Sequence, residues 1–242
     1  MKTIIIIPAR MASTRFPNKP MVLINGIPMI QRVWQQAIKS KVGEVVVACC
    51  EKEVCDLIIS LGGKAIMTSP DHPSGTDRIH EVIKNYSNSH QFDSIINLQG
   101  DMPLINSDDI IKVNIPLKQG FDIGTLVTNM SKEEENNINI TKVKINWIKK
   151  NILGEAKDFY KISKNKINNI YHHVGIYSFR YESLKKFVHL KPSINEVYHK
   201  LEQLRALASN MTIGATFVDN IPISVDTMDD LVKVENIIKA NK

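Results

Sequence analysis

The stretch Thr3-Ile4-Ile5-Ile6-Ile7-Pro8-Ala9-Arg10-Met11-Ala12-Ser13-Thr14-Arg15-Phe16-Pro17-Asn18-Lys19-Pro20 decides the fold. Its first five residues are an unbroken apolar, β-branched run, the pattern of a short strand covered on both faces. Outward from that strand, apolar blocks alternate between helix and strand periods. Met29, Ile30, Val33, Trp34, Ala37 and Ile38 recur at helical spacing behind Pro28. Residues 45–48 read as a second buried strand, and Val54, Leu57, Ile58 and Leu61 line a helix stopped by Gly62-Gly63. Strands at 64–67, 94–98 and 123–128 alternate with helices at 77–85 and from Ser107 onward. This alternation predicts an α/β fold with a mostly parallel sheet and right-handed crossovers.

The second half reads differently. Residues 142–148 alternate as a half-exposed strand, and 149–169, rich in Lys and Asn, read as a polar, mobile excursion. A strand at 170–179, one continuous helix at 196–208, a strand at 211–218 and a closing helix at 228–240 follow. The expected architecture is one domain over 1–242 with a smaller β-rich insertion at about 130–195.

Composition narrows the function. With 242 residues and 43% hydrophobic content in periodic blocks, the chain is not of the disordered class. No apolar run approaches the roughly 20 residues that span a bilayer. The N-terminus leads straight into a strand, so no signal peptide is expected. Three cysteines (Cys49, Cys50, Cys55) crowded into seven residues make no disulfide framework, and they lack a fourth ligand at zinc spacing. A reducing, cytoplasmic setting is expected. The net charge of +6 comes from scattered lysines, and aromatic residues are only 6%. Small anions are therefore the expected partners, not nucleic acid or a membrane.

In parallel α/β sheets ligands sit beyond the carboxyl ends of the strands. After the first strand, Arg10, Arg15 and Lys19 share a loop of small residues, which suits a triphosphate; the plainer alternative is a solvated basic loop. After the fourth comes Asn97-Leu98-Gln99-Gly100-Asp101-Met102-Pro103, where Gly100 permits close approach and Asp101 stands where a hard cation would be held. Asp226, in Ser224-Val225-Asp226-Thr227, offers a second carboxylate or else caps the following helix. Thr68 to Arg78 (TSPDHPSGTDR) enters a helix N-terminus and suits a polar ligand or nucleobase, with Thr76 or Asp77 as the expected cap. A Walker loop and a G-x-G-x-x-G are both absent.

Six segments in order, IPARMASTRFPNKP, MTSPDHPSGTDRIHEV, NLQGDMPLI, HHVGIYSFR, LEQLRAL and VDTMDDL, resemble the cytidylyltransferases that activate 3-deoxy-manno-octulosonate (Kdo), the CMP-Kdo synthetases. The resemblance runs from Ile4 to about Val234. It implies a Rossmann-like sheet of the nucleotide-diphospho-sugar transferase type and transfer of CMP from CTP to Kdo for lipopolysaccharide synthesis. It further implies Mg²⁺ as cofactor, and a homodimer. By position, Arg10, Arg15 and Lys19 look like the triphosphate clamp, absorbing charge on the leaving pyrophosphate. Ser74, Gly75, Arg78 and Gln99 look like the rest of the nucleotide pocket. Asp101 and Asp226 look like the catalytic metal ligands, and His173, Tyr177, Glu202 and Gln203 like the sugar contacts.

The chain departs from the family pattern at Met102, where an acidic residue is usual, and at Cys49-Cys50, where Thr-Asp is usual. Tyr160-Lys161 replaces a Ser-Arg pair, and Ser224 replaces a glycine. Lys161 keeps a positive charge but lacks the guanidinium fork for a carboxylate. An amino-substituted Kdo, a sialic-type sugar, or a nucleotide-binding role without turnover stay open as alternatives. No general base is singled out.

Overall fold

The computed structural model describes residues 1–12, 16–86, 91–161 and 168–240. The chain forms two compact units, Met1–Ile110 with Pro222–Lys242, and Ile111–Ile221. In the first, β1 (Thr3–Ala9) lies between β4 (Glu44–Cys49) and β6 (Ser94–Asn97), with β5 (Lys64–Met67) outside β4. All three pairings are parallel, as the alternation of strand and helix predicts. Ile4, Ile5, Ile6 and Ile7 are wholly buried, which is why the run is apolar without interruption. Helices α1 (Met29–Ser40), α2 (Lys52–Ser60) and α3 (Gly75–Asn85) make the crossovers.

A small hairpin, β2 (Leu23–Ile24) and β3 (Ile27–Pro28), turns through Asn25 and Gly26, both at positive φ. Asn-Gly is the pair a tight primed turn favours. The closing helix α9 (Met228–Ala240) packs Leu231 and Val234 against Ile24, Met29 and Val225. Asn25 fixes the contact, donating its backbone N–H to Glu235 Oε1 at 3.0 Å. This apolar seam returns the end of the chain to the first unit and carries Asp226 with it.

The chain leaves the first unit through α4 (Ser107–Lys112). The second unit holds α5 (Ile115–Lys118), β7 (Ile123–Thr128), β8 (Lys142–Lys149), β9 (Leu153–Tyr160), β10 (Ile170–Phe179), α6 (Tyr181–His189), α7 (Ile194–His199), α8 (Leu204–Ala208) and β11 (Ile213–Phe217). Its strands pair in the order β10-β7-β11-β9-β8, and β8 pairs again with β10, closing the circuit. Only β7 and β11 run parallel there; the other pairings are antiparallel.

Two expectations need correction. The polar excursion at 149–169 contains β9, reached from β8 by a turn with Asn151 at φ 53°. Its exposed residues Lys157 and Asp158 hid the alternation, while Leu153, Ala156 and Phe159 supply the buried side. The helix expected at 196–208 is two helices. Lys200 adopts a left-handed conformation (φ 54°) and ends α7, and the chain becomes helical again at Leu204. The apolar spacing of Val197, Leu201, Leu204 and Leu207 suggests one helix with a common core face, but Val197 is 67% exposed. Arg205 closes the break by a fork onto Glu196, with Nε at 3.0 and 2.9 Å from the two carboxylate oxygens.

Candidate active site

The ends of β1 and β6, the start of α3 and the lead into α9 line a cleft of about 260 Å³. Arg10, Lys19, Ser74, Gly75, Arg78, Gln99, Asp101 and Asp226, all singled out in the sequence, line it together. Arg15 lies outside the described residues.

The cleft is built around one cation. The Lys19 ammonium donates to Asp101 Oδ2 at 2.7 Å and to Asp226 Oδ1 at 2.9 Å. The two acids meet because the Val225 backbone N–H donates to the Asp101 carbonyl at 2.9 Å, pinning the lead into α9 beside the end of β6. Asp226 does not cap that helix. Thr227 Oγ1 accepts from the Asp230 N–H at 3.3 Å and Asp230 Oδ2 accepts from the Thr227 N–H at 3.0 Å, so the cap is made without it. Burial alone would lower the Lys19 pKa, but the two carboxylates override it and hold the ammonium above its ordinary value. Two converging carboxylates are hard oxygen donors of the kind a divalent ion such as Mg²⁺ takes. Among the described residues no group of three or more His, Cys, Asp or Glu side chains could hold a metal. An ion held by this pair would keep water or phosphate oxygens in the rest of its shell, as Mg²⁺ usually does.

The other end of the cleft is a preorganised polar wall. Ser74, not Thr76 or Asp77, caps α3, accepting from both of their backbone N–H groups at 3.1 and 3.2 Å. Arg78, 2% exposed, uses one guanidinium nitrogen on Thr68 Oγ1 and the Ser69 carbonyl, while its other terminal nitrogen, Nη2, is buried without a partner. A buried guanidinium nitrogen with nothing to donate to is costly unless a ligand supplies an acceptor. Gln99 donates to Asn97 Oδ1 at 3.0 Å, and Asn97 in turn donates to Thr76 Oγ1 at 3.3 Å, so its amide orientation is set by a chain of bonds. Space for a side chain is short where these elements meet, most of all at Gly100. A Cβ on Gly100 would lie 2.9 Å from the Pro8 carbonyl oxygen, and one on Gly75 3.2 Å from Pro8 Cγ.

Sequence reasoning missed the supports of this wall. Glu81 accepts from the Ser69 N–H at 3.0 Å and binds the His72 ring, holding the loop that His72 and Ser74 contribute to the cleft. Glu51 accepts from the Met11 N–H at 2.9 Å and so tethers the loop after β1. Only the helical spacing of Arg78 and Glu81 hinted at the first; nothing local hinted at the second.

The residues expected to bind the sugar lie in the second unit. His173 is buried, its Nε2 2.9 Å from Thr125 Oγ1, and burial pushes its pKa down to about 3. A bulge in β10 between Val174 and Tyr177 keeps His173 and Tyr177 together, with ring centroids 5.4 Å apart. The Tyr177 hydroxyl is pushed well above its ordinary pKa, first by burial and then by the Glu202 carboxylate. Glu202 and buried Gln203 stand in the turn between α7 and α8, not in a helix. Of the departures, Met102 is buried, Cys50 donates its thiol to Glu51 Oε1 at 3.1 Å, and the Lys161 ammonium donates to the Asn139 carbonyl at 3.2 Å.

The chain matches known proteins over nearly its whole length. A family model described as cytidylyltransferase matches residues 4–213. The 3-deoxy-manno-octulosonate cytidylyltransferase of Paramagnetospirillum magneticum is 42% identical over 240 residues, 98% of each chain. That of Bartonella tribocorum is 40% identical over 98% of this chain and 99% of its own. A solved structure of CMP:2-keto-3-deoxy-manno-octonic acid synthetase complexed with CTP superposes with a TM-score of 0.91 at 33% identity, covering all of both chains. A UDP-glucose pyrophosphorylase, 14% identical with a TM-score of 0.69, shares the fold. The chain belongs to the cytidylyltransferase family, and within it to the 3-deoxy-manno-octulosonate cytidylyltransferases.

Proposed function

We propose that the chain is a nucleotidyltransferase that joins CTP to Kdo, giving CMP-Kdo and pyrophosphate for lipopolysaccharide synthesis. The observation that carries this reading is the Arg78 nitrogen buried beside the cleft with no acceptor. Arg78, Ser74 and Gln99 hold the cytidine portion, and Arg10, Arg15 and Lys19 meet the phosphates. The anomeric hydroxyl of the sugar attacks the α-phosphorus in line, its proton is lost, and pyrophosphate leaves. The protein's share is positioning and neutralisation of charge on the leaving group. Asp101 and Asp226 would hold Mg²⁺, which when bound supplies charge stabilisation at the phosphoryl oxygens. His173, Tyr177, Glu202 and Gln203 contact the sugar acid. A homodimer in the cytoplasm, with the region around 130–195 binding sugar and joining the subunits, completes the proposal; no helix among the described residues is long and apolar enough to cross a membrane.

Pyrophosphate release tests the proposal. It is expected with CTP, Mg²⁺ and Kdo, and not when UTP, GTP or ATP replaces CTP. Asp101→Asn is expected to slow turnover roughly 10³-fold or more, the loss of an anionic metal ligand being worth several kcal/mol. Preference for a sialic acid over Kdo overturns the sugar assignment; preference for 8-amino-Kdo moves it to the amino sugar and points to Met102, Lys161 and Ser224.

A further inference from the structure

The sequence suggests a phosphate ligand in Lys19, yet its ammonium spends two of its three donors on Asp101 and Asp226. Its side chain is only 13% exposed, against 28% and 42% for the two acids. The backbone beneath it is fixed: the Met21 N–H donates to the Asn18 carbonyl at 2.9 Å, the Asn18 N–H donates to the Met11 carbonyl at 3.2 Å, and Pro20 is buried. The flexible four-carbon stem is therefore the part that can move. A divalent cation taking oxygens from both acids would enter the space the ammonium holds, and two cations cannot share it without strong repulsion.

We propose that Lys19 is a built-in competitor for the divalent cation: metal entry displaces its ammonium from Asp101 and Asp226 and frees it for the triphosphate. The proposal rests on the metal-site reading above. Until nucleotide arrives, the lysine neutralises the paired acids and keeps their metal affinity low. A triphosphate that draws the ammonium away raises that affinity, and by linkage the metal raises the affinity for nucleotide.

The test is Mn²⁺ binding to the nucleotide-free protein, read from the free-ion paramagnetic resonance signal. Lys19→Met is expected to bind Mn²⁺ at least tenfold more tightly than the parent, and Lys19→Met/Asp226→Asn is expected to lose that gain. Where Met does not fold, as judged by circular dichroism and thermal melting, Lys19→Gln removes the charge and keeps a donor for the acids. Affinity equal to or weaker than the parent's in the folded variant overturns the competitor role. If Asp101→Asn abolishes turnover while the lysine variant shows no gain, the metal site stands and only the role of Lys19 falls. If Asp101→Asn is fully active and no variant binds Mn²⁺, both fall.

Discussion

Replacing Arg78 by methionine tests both the loop tie it makes and the ligand contact proposed for it, since these fall on different nitrogens. One terminal nitrogen bonds Thr68 Oγ1 and the Ser69 carbonyl, tying the loop before α3; Nη2 stands buried without a partner. Methionine fills much of the volume and makes neither bond. Leaving the buried Thr68 hydroxyl and the half-buried Ser69 carbonyl short of a donor costs about 1–3 kcal/mol, which for a chain of this size lowers Tm by about 2–12 °C. The orphaned nitrogen makes no hydrogen bond in the free protein, so the bond it would give a ligand is missed only when CTP is present. A charge-assisted hydrogen bond of about 1.5–3 kcal/mol implies roughly 10- to 150-fold weaker CTP binding. Calorimetric titration with CTP, at a temperature where both proteins are folded, reads the second effect apart from the first. CTP affinity within threefold of the parent beside a lowered Tm would make Arg78 a loop tie alone and refute the nucleotide reading.

Other expectations are shorter. Gly100→Ala pushes a Cβ to 2.9 Å from the Pro8 carbonyl and against Ile30, so the end of β1 must shift; a loss of about 1–3 kcal/mol with weaker CTP binding is expected, and an unchanged Tm would show that the strand yields freely. Glu202→Ala should lower kcat/KM for the sugar tenfold or more and leave CTP affinity nearly unchanged; if the CTP affinity falls instead, Glu202 serves the wrong substrate. His173 titrates near 3 when folded and near 6.5 when unfolded, so stability is complete above pH 6.5 and falls as the pH drops toward 3. The slope is at most about 1.4 kcal/mol per pH unit. Urea unfolding of His173→Asn between pH 7 and 5 should show a flatter decline than the parent; equal slopes would mean that other groups carry the acid sensitivity.

What the sequence determined by itself was the part governed by local pattern. The run 3–7 could only be a doubly covered strand, and the alternation after it specified the parallel half of the fold, because burial on both faces and helical periodicity both leave marks over a few residues. The residues that line the cleft were legible for the same reason: Arg10, Lys19, Ser74, Gly75, Arg78, Gln99 and Asp101 all sit at or just after strand ends or in the first turn of a helix. Tertiary structure decided what depends on distant partners. The Val225–Asp101 backbone bond and the apolar seam of α9 bring Asp226 across the chain to Asp101, and no local signal encodes that meeting. The same meeting turned Lys19 from a loop cation into the bridge between two acids. β9 was hidden because its exposed face is charged and its pairing partners lie in β8 and β11. The break at Lys200 was hidden because a lysine rarely takes a left-handed conformation, and here the Arg205–Glu196 fork across the break helps hold it.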